Sequence, residues 1–357
     1  MMANFMQLAF RLAKKADPFP NPRVGAVLVK DGEVIGTGYH KKAGEEHAEI
    51  NAINDAKQKG KKVEGSTFYV TLEPCSHTNK RTPPCTGAII ANKIKKVVFA
   101  MKDPNPLVDG RKKLKEAGVI VVGPINEKKA RTLNKKYLKN IARKTFVAIK
   151  MAMSADGKTA TKTGDSKWIT GENARKFVHK LRSEFDAVMV GAGTVKKDNP
   201  RLTARIKDGR NPYRIIIDSD LCILINSNVF GNGEKTIVIT TEKASRKKRE
   251  RMGKKAQIFV CGKKEVDLKK AILGLQAMGI RKILIEGGSE LNAGALKAGI
   301  VDKLYLFIAP KIIGGRTAKG VVGGDGIKTM EKALKLKNRK TTIVGYDVLM
   351  EFDIERR

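Results

Sequence analysis

The stretch TFYVTLEPCSHTNKRTPPCTGAII, residues 67–90, decides how the first part of the chain folds. Its opening run of β-branched and aromatic residues, 67–71, reads as a strand that ends before Pro74-Cys75. Pro83-Pro84 then interrupt the chain, so Cys85 is expected to open a helix near 84–92, where the helix dipole favours a thiolate. Upstream, His47-Ala48-Glu49 begins another helical segment near 46–60. Zinc takes imidazole nitrogen and thiolate sulfur tetrahedrally, and a catalytic site uses three protein ligands and leaves the fourth position to water. His47, Cys75 and Cys85 supply three such ligands, and zinc bound in this way brings its water's pKa to about 7. Glu49, two residues past the imidazole, is placed to carry protons without binding metal. Alone, a His near a Glu on a helix is usually a solvated pair, and two distant cysteines are usually unrelated. The combination carries the metal reading.

Outward from that stretch the first 144 residues alternate helical and strand signals. Helices are expected near 3–16, 46–60, 84–92 and 111–117, and strands near 24–29, 34–40, 67–71, 96–100 and 119–122, an α/β pattern. A lysine-rich segment, 126–143, reads as a solvated connector or docking helix. The pattern restarts at Thr145 with FVAIKMAMS, which puts the domain boundary between 1–144 and 145–357. In the second half, strands are expected at 187–190, 214–218, 236–240, 257–261, 282–286 and 303–309, in a mixed or mostly parallel sheet with helices on its faces. Ligands should gather at the strand ends.

Composition sets the broad class. The chain has 357 residues, 41% hydrophobic and 30% charged, which is a folded globular balance with length for two cores. No run approaches the roughly 20 apolar residues of a membrane span, and Lys14, Lys15 and Asp17 follow the first apolar patch where a signal peptide would have a cleavage site. A cytoplasmic protein is expected. The four cysteines are too few for a disulfide framework, which fits a reducing compartment; Cys222 and Cys261 lie in apolar runs and read as packing residues. The net charge of +36 invites a nucleic-acid partner, but it is spread over both halves, which favours a general lysine-rich habit or a phosphorylated small-molecule substrate over a nucleic-acid groove.

NPRVGAVLV (21–29), HAEINAI (47–53), TLEPCSH (71–77) and TPPCTGAII (82–90) resemble the deaminase domain of the bifunctional riboflavin-biosynthesis deaminase/reductase family. The resemblance covers nearly all of residues 3–145 and implies a zinc-dependent deamination of a phosphoribosylated diaminopyrimidine. The spacing of Cys75 and Cys85 is wider than the Cys-x-x-Cys of nucleobase deaminases. The loop 77–82 also departs from the family, which usually carries a Gly there. The family reading makes Asn21, in the turn Pro20-Asn21-Pro22, the contact to the pyrimidine edge, because a flat polar heterocycle is read by an amide; a plain turn between prolines is the alternative. His77 is not expected as a metal ligand but could touch substrate, and His40 and His179 read as structural.

No Gly-x-Gly-x-x-Gly follows a strand in the second half, so a Rossmann domain is not supported. ILIEGGSELNAGAL (283–296) instead runs from a strand through Gly287-Gly288 into a helix near Glu290, a turn that can present backbone N–H groups to a phosphate. MSADGKTAT (153–161), SKWITG (166–171), GAGTVKKDNPRLTAR (191–205), RIIIDS (214–219) and IEGGSELNAG (285–294) occur in the order of the same family's reductase half. That half is similar to dihydrofolate reductase in fold and uses NADPH to reduce a ribosyl group to ribityl. The resemblance implies cofactor contacts at Ala152, Trp168, Thr194, Asp198, Ser219, Gly288 and Gly294. It implies substrate contacts at Ser166, Arg182, Leu202, Arg205 and Glu286, with Lys150 and Asp156 bordering the reacting sugar. Arg182 and Arg205 suit a bidentate grip on the ribose phosphate. Trp168 could otherwise fill a core.

The expected architecture is therefore α/β, an N-terminal cytidine-deaminase-like α/β/α sandwich followed by a C-terminal dihydrofolate-reductase-like domain. A homo-oligomer is expected, with no membrane and no nucleic-acid partner. Two rivals remain: a nucleic-acid base deaminase with a basic RNA-binding C-terminal half, and a deaminase whose second domain is a noncatalytic scaffold.

Overall fold

The computed structural model describes residues 2–76, 83–105, 108–207, 209–231 and 235–355. Two compact units emerge, Met1–Lys144 with Gln276–Gly279, and Thr145–Leu275 with Ile280–Arg357.

The first unit contains α1 (Met2–Ala13), β1 (Gly25–Lys30), β2 (Glu33–Tyr39), α2 (Ala48–Gln58), β3 (Thr67–Val70), α3 (Cys85–Ala91), β4 (Lys96–Phe99), α4 (Gly110–Glu116), β5 (Ile120–Val122), α5 (Glu127–Leu133) and α6 (Lys135–Ala142). Its sheet runs β2-β1-β3-β4-β5, with β1 antiparallel to both neighbours and β3, β4 and β5 parallel. β1 is buried along nearly its whole length, which is why it reads as a continuous apolar run rather than an alternation. Ala48, Ala52 and Ala56 form one fully buried stripe on α2, four residues apart, and they meet β2 where it has glycine. A Cβ on Gly38 would stand 2.2 Å from the Ala48 carbonyl oxygen, and one on Gly36 2.3 Å from that of Ala52. The helix thus rests on bare strand backbone, and this contact fixes where its N-terminus begins.

The segment 126–143 is not one solvated helix. It breaks into α5 and α6 around Asn134, and Ala130, Asn134 and Tyr137 are buried. Leu133 and Leu138 also pack against the core. These positions recur every three or four residues, a stripe that the surrounding lysines conceal in the sequence.

The second unit contains β6 (Phe146–Ser154), α7 (Glu172–Glu184), β7 (Ala187–Gly191), α8 (Ala192–Asp198), β8 (Tyr213–Ile217), β9 (Thr236–Thr240), α9 (Arg246–Gly253), β10 (Gln257–Val260), α10 (Leu268–Ala277), β11 (Lys282–Ile285), α11 (Ser289–Lys297), β12 (Lys303–Ala309), β13 (Lys337–Val344) and β14 (Asp347–Asp353). Nine strands run β10-β9-β8-β7-β11-β6-β12-β14-β13, parallel from β10 to β12, with β14 and β13 antiparallel additions. β7 is buried on both faces and sits beside β11, which in turn pairs with β6. β13 had no apolar alternation to announce it: it is an exposed edge strand whose Lys337, Arg339 and Lys340 discourage further pairing.

One packing expectation fails. Cys261 is buried, but Cys222 is exposed. The Asp218 carboxylate accepts the amides of Cys222 and Ile223 at 2.8 and 2.9 Å, which folds this loop so that Leu221 and Ile223 turn inward and the intervening thiol outward.

Candidate active sites

In the first unit, His47 is the N-cap of α2, Cys85 is the first residue of α3 behind Pro84, and Cys75 lies in the loop leaving β3. Their ligand atoms all lie within 4.8 Å of one another. His47 Nδ1 stands 3.4 Å from Cys85 Sγ and 3.7 Å from Cys75 Sγ. Zinc bonds of about 2.0–2.1 Å to nitrogen and about 2.3 Å to sulfur at a tetrahedral angle put N and S about 3.6 Å apart. The trio therefore fits zinc in both chemistry and spacing. The Cys85 amide donates to Cys75 Sγ at 3.2 Å, which favours a thiolate there. Glu49 is buried in the first turn of α2, beside the ligand that caps it.

Asn21 joins the same neighbourhood through His40, a residue read from sequence as structural. The Glu46 carbonyl, 3.0 Å from His40 Nδ1, can only accept, so Nδ1 carries the hydrogen and Nε2 accepts from Asn21 Nδ2, also at 3.0 Å. The His40 and His47 rings stand 5.0 Å apart. Asp103 and Glu73 were not singled out in the sequence. The Asp103 amide donates to Glu73 Oε2 at 3.3 Å, Asp103 Oδ1 accepts from the Tyr137 hydroxyl at 3.1 Å, and burial pushes the Asp103 carboxyl up to about 7. Glu73 lies within the TLEPCSH motif but Asp103 lies in none of the quoted motifs, and the two meet only because the ends of β3 and β4 bring them together. His77, with residues 78–82, lies outside the described residues.

In the second unit, the parallel register sets Ile285 of β11 beside Ile149 of β6, so Glu286, just past the end of β11, comes next to Lys150, midway along β6. Arg182, near the end of α7, binds Glu286 with two nitrogens and the Thr203 carbonyl with a third. Burial tends to raise the Glu286 carboxyl, but Arg182 and then Lys150 outweigh it and hold it below the usual range. Burial also lowers the Lys150 amine. His179, one turn before Arg182, is lowered by burial and then by the Arg182 and Arg205 charges.

Thr194 Oγ1 accepts from the Gly288 amide at 3.2 Å, bringing two expected cofactor contacts together. Gly288 is the N-cap of α11, whereas Gly294 lies inside that helix, away from its open end. Ala152 is on β6, Asp198 ends α8 and Ser219 follows β8, where its carbonyl accepts from the Thr240 and Thr241 hydroxyls. Ser166 and Trp168 share the loop between β6 and α7. Trp168 is not a core residue: it is 63% exposed, with the Arg175 guanidinium 4.6 Å from its ring centre. Leu202 and Arg205 both have left-handed backbone, φ 55° and 52°; the Leu202 side chain is buried in the core, while Arg205 is exposed. Asp156 is lowered to about 2 by the Ser154 hydroxyl and the Ile313 and Gly314 amides, so it stitches two loops together.

Both halves of the chain match known protein families. Residues 2–101 match the cytidine and deoxycytidylate deaminase zinc-binding region, and residues 145–350 match the RibD C-terminal domain. The chain is 42% identical to the riboflavin biosynthesis protein RibD of Aquifex aeolicus over 98% of this chain and 97% of that one. It is 36% identical to that of Escherichia coli, over 97% of each. It also resembles the crystal structure of a Thermotoga maritima diaminohydroxyphosphoribosylaminopyrimidine deaminase/5-amino-6-(5-phosphoribosylamino)uracil reductase, at 36% identity, 99% coverage of each chain and a TM-score of 0.52. Fold and site together define a zinc-dependent deaminase joined to an NADPH-dependent reductase. The chain belongs to the RibD family of bifunctional riboflavin-biosynthesis enzymes, a hydrolase and an oxidoreductase in one polypeptide. Among the described residues, no helix is long and apolar enough to cross a membrane.

Proposed function

We propose that residues 1–144 deaminate 2,5-diamino-6-(5-phosphoribosylamino)pyrimidin-4-one and that residues 145–357 reduce the ribosyl group of the product to ribityl. His47, Cys75 and Cys85 would hold the zinc, which when bound would supply a water acidified to near neutral pH. Glu49 would be the proton carrier of the site, accepting a proton from the attacking water and passing it to the departing amine, so that the C–N bond breaks as the carbonyl forms and ammonia leaves. Asn21, its Nδ2 engaged by His40, offers its carbonyl oxygen to an amino group on the pyrimidine edge. The observation that carries this reading is the approach of one imidazole and two thiols at metal-ligand spacing, with Glu49 buried two residues past the imidazole in the first turn of the helix it caps.

In the second unit, NADPH supplies the hydride. Ala152, Trp168, Thr194, Asp198, Ser219, Gly288 and Gly294 would line its path, with Gly294 acting only through the packing of α11. Lys150 and Glu286 border the ribosyl carbon, Arg205 has an exposed guanidinium for the phosphate, and Ser166, Arg182 and Leu202 complete the substrate side. The finer setting belongs to the same proposal: a cytoplasmic homo-oligomer whose partner is a phosphorylated pyrimidine and not a nucleic acid. Incubating the purified protein with the diaminopyrimidine phosphate, with and without NADPH, tests the whole scheme. The deaminated product should accumulate without NADPH and its ribityl form with it; ammonia release without any later NADPH oxidation would reject the second step.

A further inference from the structure

Helices α5 and α6 carry two buried polar side chains that the zinc cluster does not itself use. Asn134, at their junction, is 1% exposed. Its Oδ1 accepts the Arg23 amide at 2.8 Å and its Nδ2 donates to the Arg23 carbonyl at 3.1 Å. One side-chain amide therefore brackets the backbone two residues after Asn21, satisfying a donor and an acceptor at once. Tyr137, one turn further on, is also buried and donates to Asp103 Oδ1 at 3.1 Å. The same oxygen accepts the Asn105 amide at 2.9 Å. From Asp103 the contacts continue to Glu73, two residues before Cys75, which also accepts the Arg111 amide at 2.8 Å. From the Asn21 turn they continue through His40 to the His47 ring.

Two hydrogen-bonded routes thus leave one helical corner, one toward the Asn21 turn and one toward the loops around Cys75. A connector that only covered the core could do so with apolar side chains. Burying an amide and a phenol is costly unless each has a partner, and here both sets of partners are loops of the pyrimidine site.

We propose that Asn134 and Tyr137 are positioning residues of the deamination step, holding the Asn21 turn and the Asp103–Asn105 loop at the spacing that the pyrimidine requires. This rests on the reading of Asn21 as the ring contact. Neither residue touches zinc, so their loss should weaken substrate binding and leave the metal in place.

The test uses the full-length, zinc-loaded protein carrying Tyr137→Phe, Asn134→Ala, Asn134→Asp or Asn21→Ala. Zinc content, deaminase KM and kcat, and reductase turnover on the deaminated substrate are measured for each. Tyr137→Phe and Asn134→Ala should each raise the deaminase KM roughly five- to tenfold, the worth of about one hydrogen bond, with kcat, zinc and reductase turnover within about twofold of the parent. Asn134→Asp keeps the acceptor for the Arg23 amide and should recover part of the loss. If Asn21→Ala raises KM while Tyr137→Phe and Asn134→Ala do not, the positioning role is wrong. A joint fall in zinc, kcat and melting temperature would also overturn it, in favour of a purely structural role. Should Asn134→Ala fail to fold, the nearly isosteric Tyr137→Phe decides alone. If Asn21→Ala leaves KM unchanged, the ring-contact reading itself falls and takes this proposal with it.

Discussion

Arg182 holds Glu286 in a two-pronged grip, Nε to Oε1 at 2.7 Å and Nη2 to Oε2 at 2.9 Å, while Nη1 reaches the Thr203 carbonyl at 3.1 Å. Three of the five guanidinium N–H groups are thereby engaged inside the protein. The side chains are only 13% and 8% exposed, so the pair is worth most as an arrangement whose members cannot be removed singly.

From this follows the first prediction. Arg182→Ala leaves a buried carboxylate with Lys150 as its remaining cation, which should cost about 3–5 kcal/mol of stability and abolish NADPH oxidation, with zinc content unchanged. Thermal melts and reductase assays check this. A variant with parental melting temperature and only a raised KM for the phosphorylated substrate would make Arg182 a phosphate clamp instead. The pH dependence has a defined sign. Glu286 is held below the ordinary carboxylate range, so its pairing contributes fully above that range and is lost as pH falls through the depressed value. The Arg182→Ala penalty should therefore be present at neutral pH and shrink in acid.

The second prediction concerns Glu49, buried in the first turn of α2. Glu49→Gln keeps the shape and removes the proton carrier, so deamination should fall by about 10²–10⁴-fold. Zinc stoichiometry and reduction of pre-deaminated substrate should stay at parental levels. Chelation should reproduce the deaminase loss, and added zinc should restore activity to the parent but not to the variant. Loss of both activities in a folded Glu49→Gln protein would contradict independent sites.

How much of this was legible follows from where each signal is stored. His47, Cys75, Cys85 and Glu49 were readable because metal chemistry restricts residue type and their flanking prolines and helix starts are local. Most parallel strands of both units were readable as apolar runs, β7 and β9 among them buried along nearly their whole length. β13 was not, because an edge strand with Lys337, Arg339 and Lys340 has no hydrophobic period to detect. Nor were Asn134 and Tyr137, whose meaning depends on partners 111 and 34 residues away. The exposure of Cys222 depends on the Asp218 carboxylate folding its own loop, which composition does not record.

The third prediction tests the seat of α2. A Cβ on Gly38 would meet the Ala48 carbonyl at 2.2 Å and the Ala52 amide nitrogen at 2.5 Å, both backbone atoms that cannot rotate aside. Gly38→Ala should therefore push the helix off β2 and displace His47. We expect overpacking of about 1–3 kcal/mol, lower zinc occupancy and deaminase loss, with reductase turnover preserved. Gly32→Ala is a control for general backbone effects, since nothing lies within 4 Å of its added Cβ although its φ of 81° adds some strain. Equal zinc content in Gly38→Ala and the parent would show that the close seat does not set the ligand position.

The last prediction uses the only tryptophan in the chain. Trp168 is 63% exposed, its ring lies 4.6 Å from the Arg175 guanidinium, and its carbonyl accepts from Lys311 Nζ at 2.8 Å. Backbone and ring are thus held while a large aromatic face stays open to solvent. As a cofactor contact, that face should be covered when NADPH binds, so titration should change the tryptophan emission saturably, with a midpoint equal to the Kd from direct binding. Trp168→Ala should weaken NADPH by about tenfold, in line with the 0.5–1.5 kcal/mol of an aromatic contact, and leave deamination untouched. Arg175→Ala should weaken it less, because the ring keeps its backbone anchor to Lys311. Emission that does not respond at NADPH concentrations saturating the reductase would remove Trp168 from the cofactor site.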